Sequence, residues 1–263
     1  MQGIICYYSG SGNTKLACRY LASRIDAVSF EFADITKGKP ADFGVYDIVG
    51  FATFTDAFGL PHLFQSFLED LPIQGGKPAF VFNTYGSFSG RTLSTLAALA
   101  TAKNFTVVAG HSLHTPESFP PMNILGVGSH APSKQGLKAF NRFIEHLADL
   151  LRELQKGQPI SHDRVHIGFL NSLLPSFPRT TSRFLMGDKS VDETRCTECG
   201  VCTRVCPYAA IALDPKPVFD EARCYGCWAC YNHCPEQAIH TTKLKSGGYY
   251  PHPNAQLREK LRS

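Results

Sequence analysis

The sequence predicts an α/β chain: a parallel β-sheet covered by helices on both faces, followed by a small α+β segment organised around cysteine. Two observations predict the first part. Short apolar runs alternate with helical patterns through residues 1–156, and the runs are continuous, as in strands buried on both faces, rather than alternating. A third observation predicts the second part. Of ten cysteines, all but Cys6 and Cys18 fall between Cys196 and Cys234, in a stretch too short to bury much apolar core.

The elements follow in order. Residues 4–8 form the first strand, 9–14 a loop rich in Ser and Gly, and 15–23 the first helix. Strands two and three lie at 28–32 and 46–53, with a helix over 60–71. Strands four and five, 78–82 and 106–109, flank a helical stretch at 92–102, and a long amphipathic helix over 134–154 closes the domain. Strand–helix–strand units connected right-handedly leave few topologies for such a sheet.

Over 157–191 the pattern weakens: Pro159, Pro175 and Pro178 interrupt it, and Arg164, Arg179, Arg183 and Lys189 make it basic. This reads as a connector with one short helix near 167–174. Arg179 and Arg183 are expected either to bridge to acids of the small domain or to receive an acidic electron donor. Residues 192–245 form the small domain, and 246–263 a tail suited to a short helical turn at most.

No run of eighteen apolar residues reads as a membrane span. The N-terminus enters a strand without a secretory signal, so the expected compartment is the cytoplasm. The formal charge of +4 treats every cysteine as neutral; if the eight clustered cysteines act as thiolate ligands of metal centres, the net charge they bring cancels it, which removes the case for nucleic acid. Cys6 and Cys18 fall in a strand and a helix, as small core residues do.

The cysteines form two runs, Cys196-Thr-Glu-Cys199-Gly-Val-Cys202-Thr-Arg-Val-Cys206-Pro207 and Cys224-Tyr-Gly-Cys227-Trp-Ala-Cys230-Tyr-Asn-His-Cys234-Pro235. Both fit C-x2-C-x2-C-x3-C-P, in which three close thiolates wrap one [4Fe–4S] cluster and the fourth reaches the other. Cys196, Cys199, Cys202 and Cys234 then hold one cluster, and Cys224, Cys227, Cys230 and Cys206 the second. Tetrahedral zinc also uses C-x2-C pairs, but it requires neither the third cysteine nor the C-P ending in both halves. Small and apolar neighbours such as Gly200, Ala210, Gly226 and Ala238 exclude water and let backbone amides approach sulfur. Trp228, between two ligands, either shields a cluster or marks a docking face. Residues 192–245 resemble a bacterial 2[4Fe–4S] ferredoxin domain.

In the loop Ser9-Gly10-Ser11-Gly12-Asn13-Thr14, hydroxyls and freed backbone amides can surround a phosphate at a helix N-terminus. A dinucleotide fingerprint fits less well, because Lys15 stands where its third glycine belongs. The loop resembles the flavodoxin pattern [S/T]-x-[S/T]-G-x-T, matched by Ser9, Ser11, Gly12 and Thr14. That resemblance implies a five-stranded sheet of order 2-1-3-4-5 and FMN bound at the switch between strands one and three. It also implies flavin-flanking loops at Thr53-Phe54-Thr55-Asp56-Ala57-Phe58-Gly59 and at Asn83-Thr84-Tyr85-Gly86-Ser87-Phe88-Ser89-Gly90. The expected FMN contacts are Ser9, Ser11, Gly12, Asn13, Thr14, Thr53, Phe54, Phe58, Gly59, Asn83, Thr84, Tyr85, Gly86, Phe88 and Gly90. Phe54, Phe58 and Tyr85 compete as stacking partner for the ring.

The chain as a whole resembles a flavodoxin–ferredoxin fusion of the type called EFR-family ferredoxins in anaerobes. This implies an electron-transfer protein carrying FMN and two [4Fe–4S] clusters, with a low-potential redox protein or oxidoreductase as partner. The alternative is an FMN-dependent reductase of a small organic electron acceptor. For that reading, His111, Ser112, His114 and Glu117 after strand five are the groups able to bind a substrate or deliver a proton.

Overall fold

The computed structural model describes residues 1–38, 40, 42–158 and 179–262. The first domain is built on β1 (Gln2–Tyr7), β2 (Ser29–Asp34), β3 (Ile48–Phe54), β4 (Pro78–Tyr85) and β5 (Thr106–His114). They form one five-stranded sheet in the order β2-β1-β3-β4-β5, parallel throughout. This is the flavodoxin-like order.

Alternation along each strand sorts side chains to the two faces. Ile5, Tyr7, Phe80 and Phe82 pack under α1 (Asn13–Ala22) and under a long helix at Lys134–Gln155. Ile4, Cys6, Val49, Phe51 and Val81 pack under α2 (His62–Glu69) and α3 (Thr92–Ala102). A one-turn helix, α4 (Pro120–Asn123), precedes the long helix, α5, in which Ser133 caps the first turn by accepting from Gly136 N at 3.0 Å. On α5, Phe140, Phe143, Ile144, Leu147 and Leu151 are buried at helical spacing, each stabilising the fold by roughly 1.5–3 kcal/mol. Cys6 and Cys18 are fully buried, and burial raises both thiols, as expected of core residues.

β4 and β5 run further than their apolar runs predict, through Asn83, Thr84 and Tyr85 and through His111 and Ser112. Polar residues continue these strands because they satisfy one another. The Ser112 hydroxyl donates to Asn83 Oδ1 at 2.7 Å, and Asn83 Nδ2 donates to Thr55 Oγ1 at 2.9 Å.

The expected helix near 167–174 lies outside the described residues. The chain returns with α6 (Arg179–Met186), whose Met186 enters the core of the small domain. Arg183 pairs with Asp188 at 2.8 Å and with Glu221 at 2.5 Å, bridging to an acid of that domain. β6 (Lys189–Val191) pairs antiparallel with a strand at Ile239–Thr241, so regular structure of the small domain starts upstream of residue 192. The remaining elements are α7 (Val201–Val205), the hairpin β7 (Ile211–Asp214) and β8 (Lys216–Phe219), α8 (Ala229–His233) and that last strand, β9.

The tail turns back onto the first domain. Asn254 caps α9 (Ala255–Lys260), and Leu257 and Leu261 enter the core beneath α1 and α5. Lys260 Nζ donates to the carbonyls of His130 and Pro132, and Asn254 Nδ2 to that of Ser129 at 3.0 Å. Among the described residues, no helix is long and apolar enough to cross a membrane.

Candidate functional site

The carboxyl ends of β1, β3, β4 and β5 face the small domain, and two connected spaces lie between them. The first is a polar recess. Its floor is the β1–α1 loop with Ser9, Gly10, Ser11, Asn13 and Thr14; Thr84, Tyr85 and Gly86 form one side, residues 115–118 another, and Cys227, Ala229 and Asn232 the roof. Gly12 turns the loop into α1 at φ 93°, a left-handed conformation suited to glycine. A Cβ there would also lie 2.9 Å from Pro253 of the tail.

Within the recess, Thr14 is fully buried with its hydroxyl 2.9 Å from that of Thr84. Lys15 N donates to Ser9 Oγ at 3.2 Å, and Asn13 Nδ2 to the Pro116 carbonyl at 3.0 Å. The donors are hydroxyls and the amide end of a helix; among the described residues the lining has no basic side chain, and its one carboxylate, Glu117, is taken up by Ser87 Oγ and two backbone amides. That set suits an anion held by neutral groups.

The second space is an apolar cavity of about 240 Å³. Tyr8, Phe54, Phe58 and Phe88 line it from the first domain, and Tyr208, Tyr225 and Trp228 from the second. Recess and cavity share Phe54, Thr55, Gly86, Glu117, Ser118 and Cys227. Phe58 is presented by a tight turn: Asp56 and Gly59 exchange backbone hydrogen bonds at 3.0 and 2.8 Å, while Ala57 and Phe58 take φ 45° and 65°. Gly90 permits that turn, since a Cβ there would overlap the Phe58 carbonyl.

The domains bond across this site. Tyr225 hydrogen-bonds to the Asp56 carboxyl, whose proton affinity burial raises above the usual carboxylate range. His233 Nε2 donates to the Gly10 carbonyl at 2.9 Å, and Asn232 Nδ2 to that of Ser118 at 3.0 Å.

The cysteines fall into two quartets. Cys196, Cys199, Cys202 and Cys234 ring one void, and Cys206, Cys224, Cys227 and Cys230 a second. Among the described residues, no three His, Cys, Asp or Glu side chains converge as on a single ion. Backbone amides of Ala210, Gly226 and Ala238 donate to Cys206, Cys224 and Cys234 sulfurs at 3.4, 3.3 and 3.3 Å. Cys199 is exposed, whereas Cys224 and Cys230 are buried. Trp228 is 4% exposed and takes φ 62° where the other half of the duplication has Gly200. It faces both the second void and the apolar cavity, an inward position rather than an outer docking face.

Of the residues expected around a flavin, Ser9, Ser11, Asn13, Thr14, Phe54, Thr84, Tyr85 and Gly86 line the recess, and Phe54, Phe58, Gly86 and Phe88 the cavity. Gly12, Gly59 and Gly90 shape the loops behind. Asn83 ties the loop after β3 to β5, and among the described residues the buried Thr53 hydroxyl has no hydrogen-bond partner. His111 lies away from the site: it stacks on Phe140 and Phe143 of α5, and burial lowers its pKa from 6.5 to about 4. Ser112 is occupied by Asn83, and His114 stacks on Tyr85 with ring centroids 5.1 Å apart. Glu117 alone of that group lines both spaces, held by Ser87 Oγ and by the amides of Ser118 and Phe119. Sequence reasoning missed Tyr8, Thr115, Ser118 and the wall supplied by the small domain. Only Tyr8, beside the phosphate-type loop, carried a local signal.

A family model described as a 4Fe-4S dicluster domain matches residues 195–238, which include all eight clustered cysteines. The match supports two [4Fe–4S] clusters in this segment. No curated protein matches the chain in sequence. Among solved structures, a flavodoxin from the domain Archaea is 18% identical with a TM-score of 0.44, covering 58% of this chain and 99% of its own. A Streptococcus pneumoniae TIGR4 flavodoxin is 18% identical with a TM-score of 0.45, covering 57% and 99%. The chain joins a flavodoxin-like domain to a 4Fe-4S dicluster domain, an architecture consistent with electron transfer.

Proposed function

We propose that this chain is an electron-transfer protein in which FMN and two [4Fe–4S] clusters share one redox path, as in fusions of the EFR-family type. One observation carries the reading: Cys227 lines the second cysteine void, the polar recess and the apolar cavity at once. In this reading Ser9, Ser11, Asn13 and Thr14 hold the phosphate, and Phe54, Phe58 and Phe88 enclose the ring. Cys196, Cys199, Cys202 and Cys234 ligate the outer cluster; Cys206, Cys224, Cys227 and Cys230 ligate the inner one. When bound, the flavin supplies one- and two-electron chemistry and each cluster one-electron chemistry.

The residues present do the positioning. Trp228, Phe119 and Tyr225 exclude water between the inner quartet and the cavity, lowering the local dielectric. His233 and Asn232 clamp the small domain to the two loops that floor the recess, which keeps both cofactor sites at a fixed separation. A low-potential redox protein is the expected external partner, reaching the chain on the side of exposed Cys199.

Anaerobically purified protein is expected to contain eight iron, eight sulfide and one extractable FMN per chain. Four iron with zinc, or full-length protein without flavin after reconstitution, would sink the proposal. Turnover of quinones, enones or nitro compounds by the same preparation would move the assignment from carrier to terminal reductase.

A further inference from the structure

The two cysteine quartets differ in how cations meet them: a lysine reaches a sulfur of the inner one, whereas cations reach backbone carbonyls of the outer one. Lys189, on β6, lines the inner void, and its ammonium donates to Cys224 Sγ at 3.0 Å. Its side chain is 1% exposed. It is held by Glu221, which it meets at 2.7 Å through Nζ and at 3.0 Å through its backbone amide. Arg183 closes on the same carboxylate at 2.5 Å and on Asp188 at 2.8 Å, so two cations meet two carboxylates here, and Lys189 is the member of the group that donates to sulfur.

The corresponding lysine of the other half does something different. Lys216, on β8, donates at 2.8 Å to the carbonyl of Cys196, not to sulfur. It pairs with Glu198 at 2.8 Å, and its side chain is 27% exposed. Arg204 likewise donates to a backbone carbonyl, that of Cys199, at 3.1 Å, and among the described residues the lining of the outer void includes Glu198 and Glu236 but no lysine or arginine.

We propose that Lys189 is a positioning residue that raises the reduction potential of the inner cluster above that of the outer one. The inference rests on the assignment of a cluster to each quartet. A reduced cluster carries one more negative charge, and a buried charge-assisted hydrogen bond to its ligand sulfur favours that state. A downhill order follows, from the exposed quartet around Cys199 toward the quartet that borders the flavin cavity.

The test is an EPR-monitored redox titration of the holoprotein, with iron and sulfide measured on each sample. Lys189→Met is expected to lower the higher of the two cluster midpoints by tenfold or more in the reduction equilibrium, about 59 mV for a one-electron couple. The lower midpoint should stay in place. Lys189→Arg, which keeps a cationic donor, should restore most of the difference, and Lys216→Met should leave the higher midpoint unmoved. In wild-type protein labelled with ¹⁵N-lysine and poised to reduce one cluster, a lysine-nitrogen hyperfine coupling should appear and vanish in Lys189→Met. With eight irons retained, an unmoved higher midpoint or an equal shift of both would overturn the role of Lys189. A preparation that never holds a second cluster would overturn the cluster assignment itself. Should Lys189→Met fail to fold, absence of the hyperfine coupling in wild type would be enough to overturn the proposal.

Discussion

The hydroxyl of Tyr250 donates to Asn13 Oδ1 at 3.0 Å, joining the returning tail to the residue that opens α1. The same hydroxyl accepts from Asn254 N at 3.1 Å, so one phenol fixes both the tail and the recess floor. Asn13 is thereby oriented with its amide toward Pro116. Tyr250→Phe should weaken FMN binding by about 1 kcal/mol, roughly fivefold, through loss of one buried hydrogen bond. Fluorescence titration of apoprotein with FMN checks this; iron content should not change.

Thr14→Val should have the larger effect. Valine keeps the shape but leaves the Thr84 hydroxyl without its 2.9 Å partner and removes a donor from the recess. A charge-assisted bond to phosphate is worth about 1.5–3 kcal/mol, so the dissociation constant for FMN should rise at least tenfold. Riboflavin, which lacks the phosphate, should bind wild type and variant alike; a parallel loss for both ligands would place the phosphate elsewhere.

Gly90→Ala should disorder the Phe58 turn. The added methyl meets the Phe58 carbonyl, and the position has φ 51°. Visible circular dichroism of the bound flavin should weaken while the cluster bands persist. An unchanged flavin spectrum would show that Phe58 does not border the ring.

His111 makes stability depend on pH. Burial between Phe140 and Phe143 lowers its pKa from 6.5 to about 4. The unfolded chain therefore binds the extra proton first, and stability falls as pH drops from 6.5 toward 4. Between pH 7.5 and 5.5, urea denaturation of wild type should lose about 1 kcal/mol more than that of His111→Leu. Equal losses would mean that the imidazole is free to protonate in the folded protein.

Much of this was legible in the sequence, for identifiable reasons. Apolar runs such as Val49–Phe51–Ala52 and the spaced cysteines are local patterns, and local spacing determines which face or which quartet a residue joins. The continuation of β4 and β5 through Asn83 and His111 was not legible, because those polar residues are stabilised by partners on neighbouring elements. His111 in particular reads as a reactive loop residue and is instead a half-buried strand residue stacked on Phe140 and Phe143. The recess roof of Cys227, Ala229 and Asn232 and the return of Leu257 are contacts between distant segments. No periodicity encodes such contacts.

Leu257 and Leu261 complete the core of the first domain, yet they are translated after both cysteine runs. The order of synthesis thus separates the bulk of that domain from its last packing residues by the whole dicluster segment. A ribosome-bound chain that has made residues 1–158 lacks the tail beneath α1 and the Tyr250 brace on Asn13. The recess floor is complete only once the tail has packed back beneath α1 and α5. The brace of Tyr250 on Asn13 therefore comes last in chain order, after the segment that carries both cysteine runs.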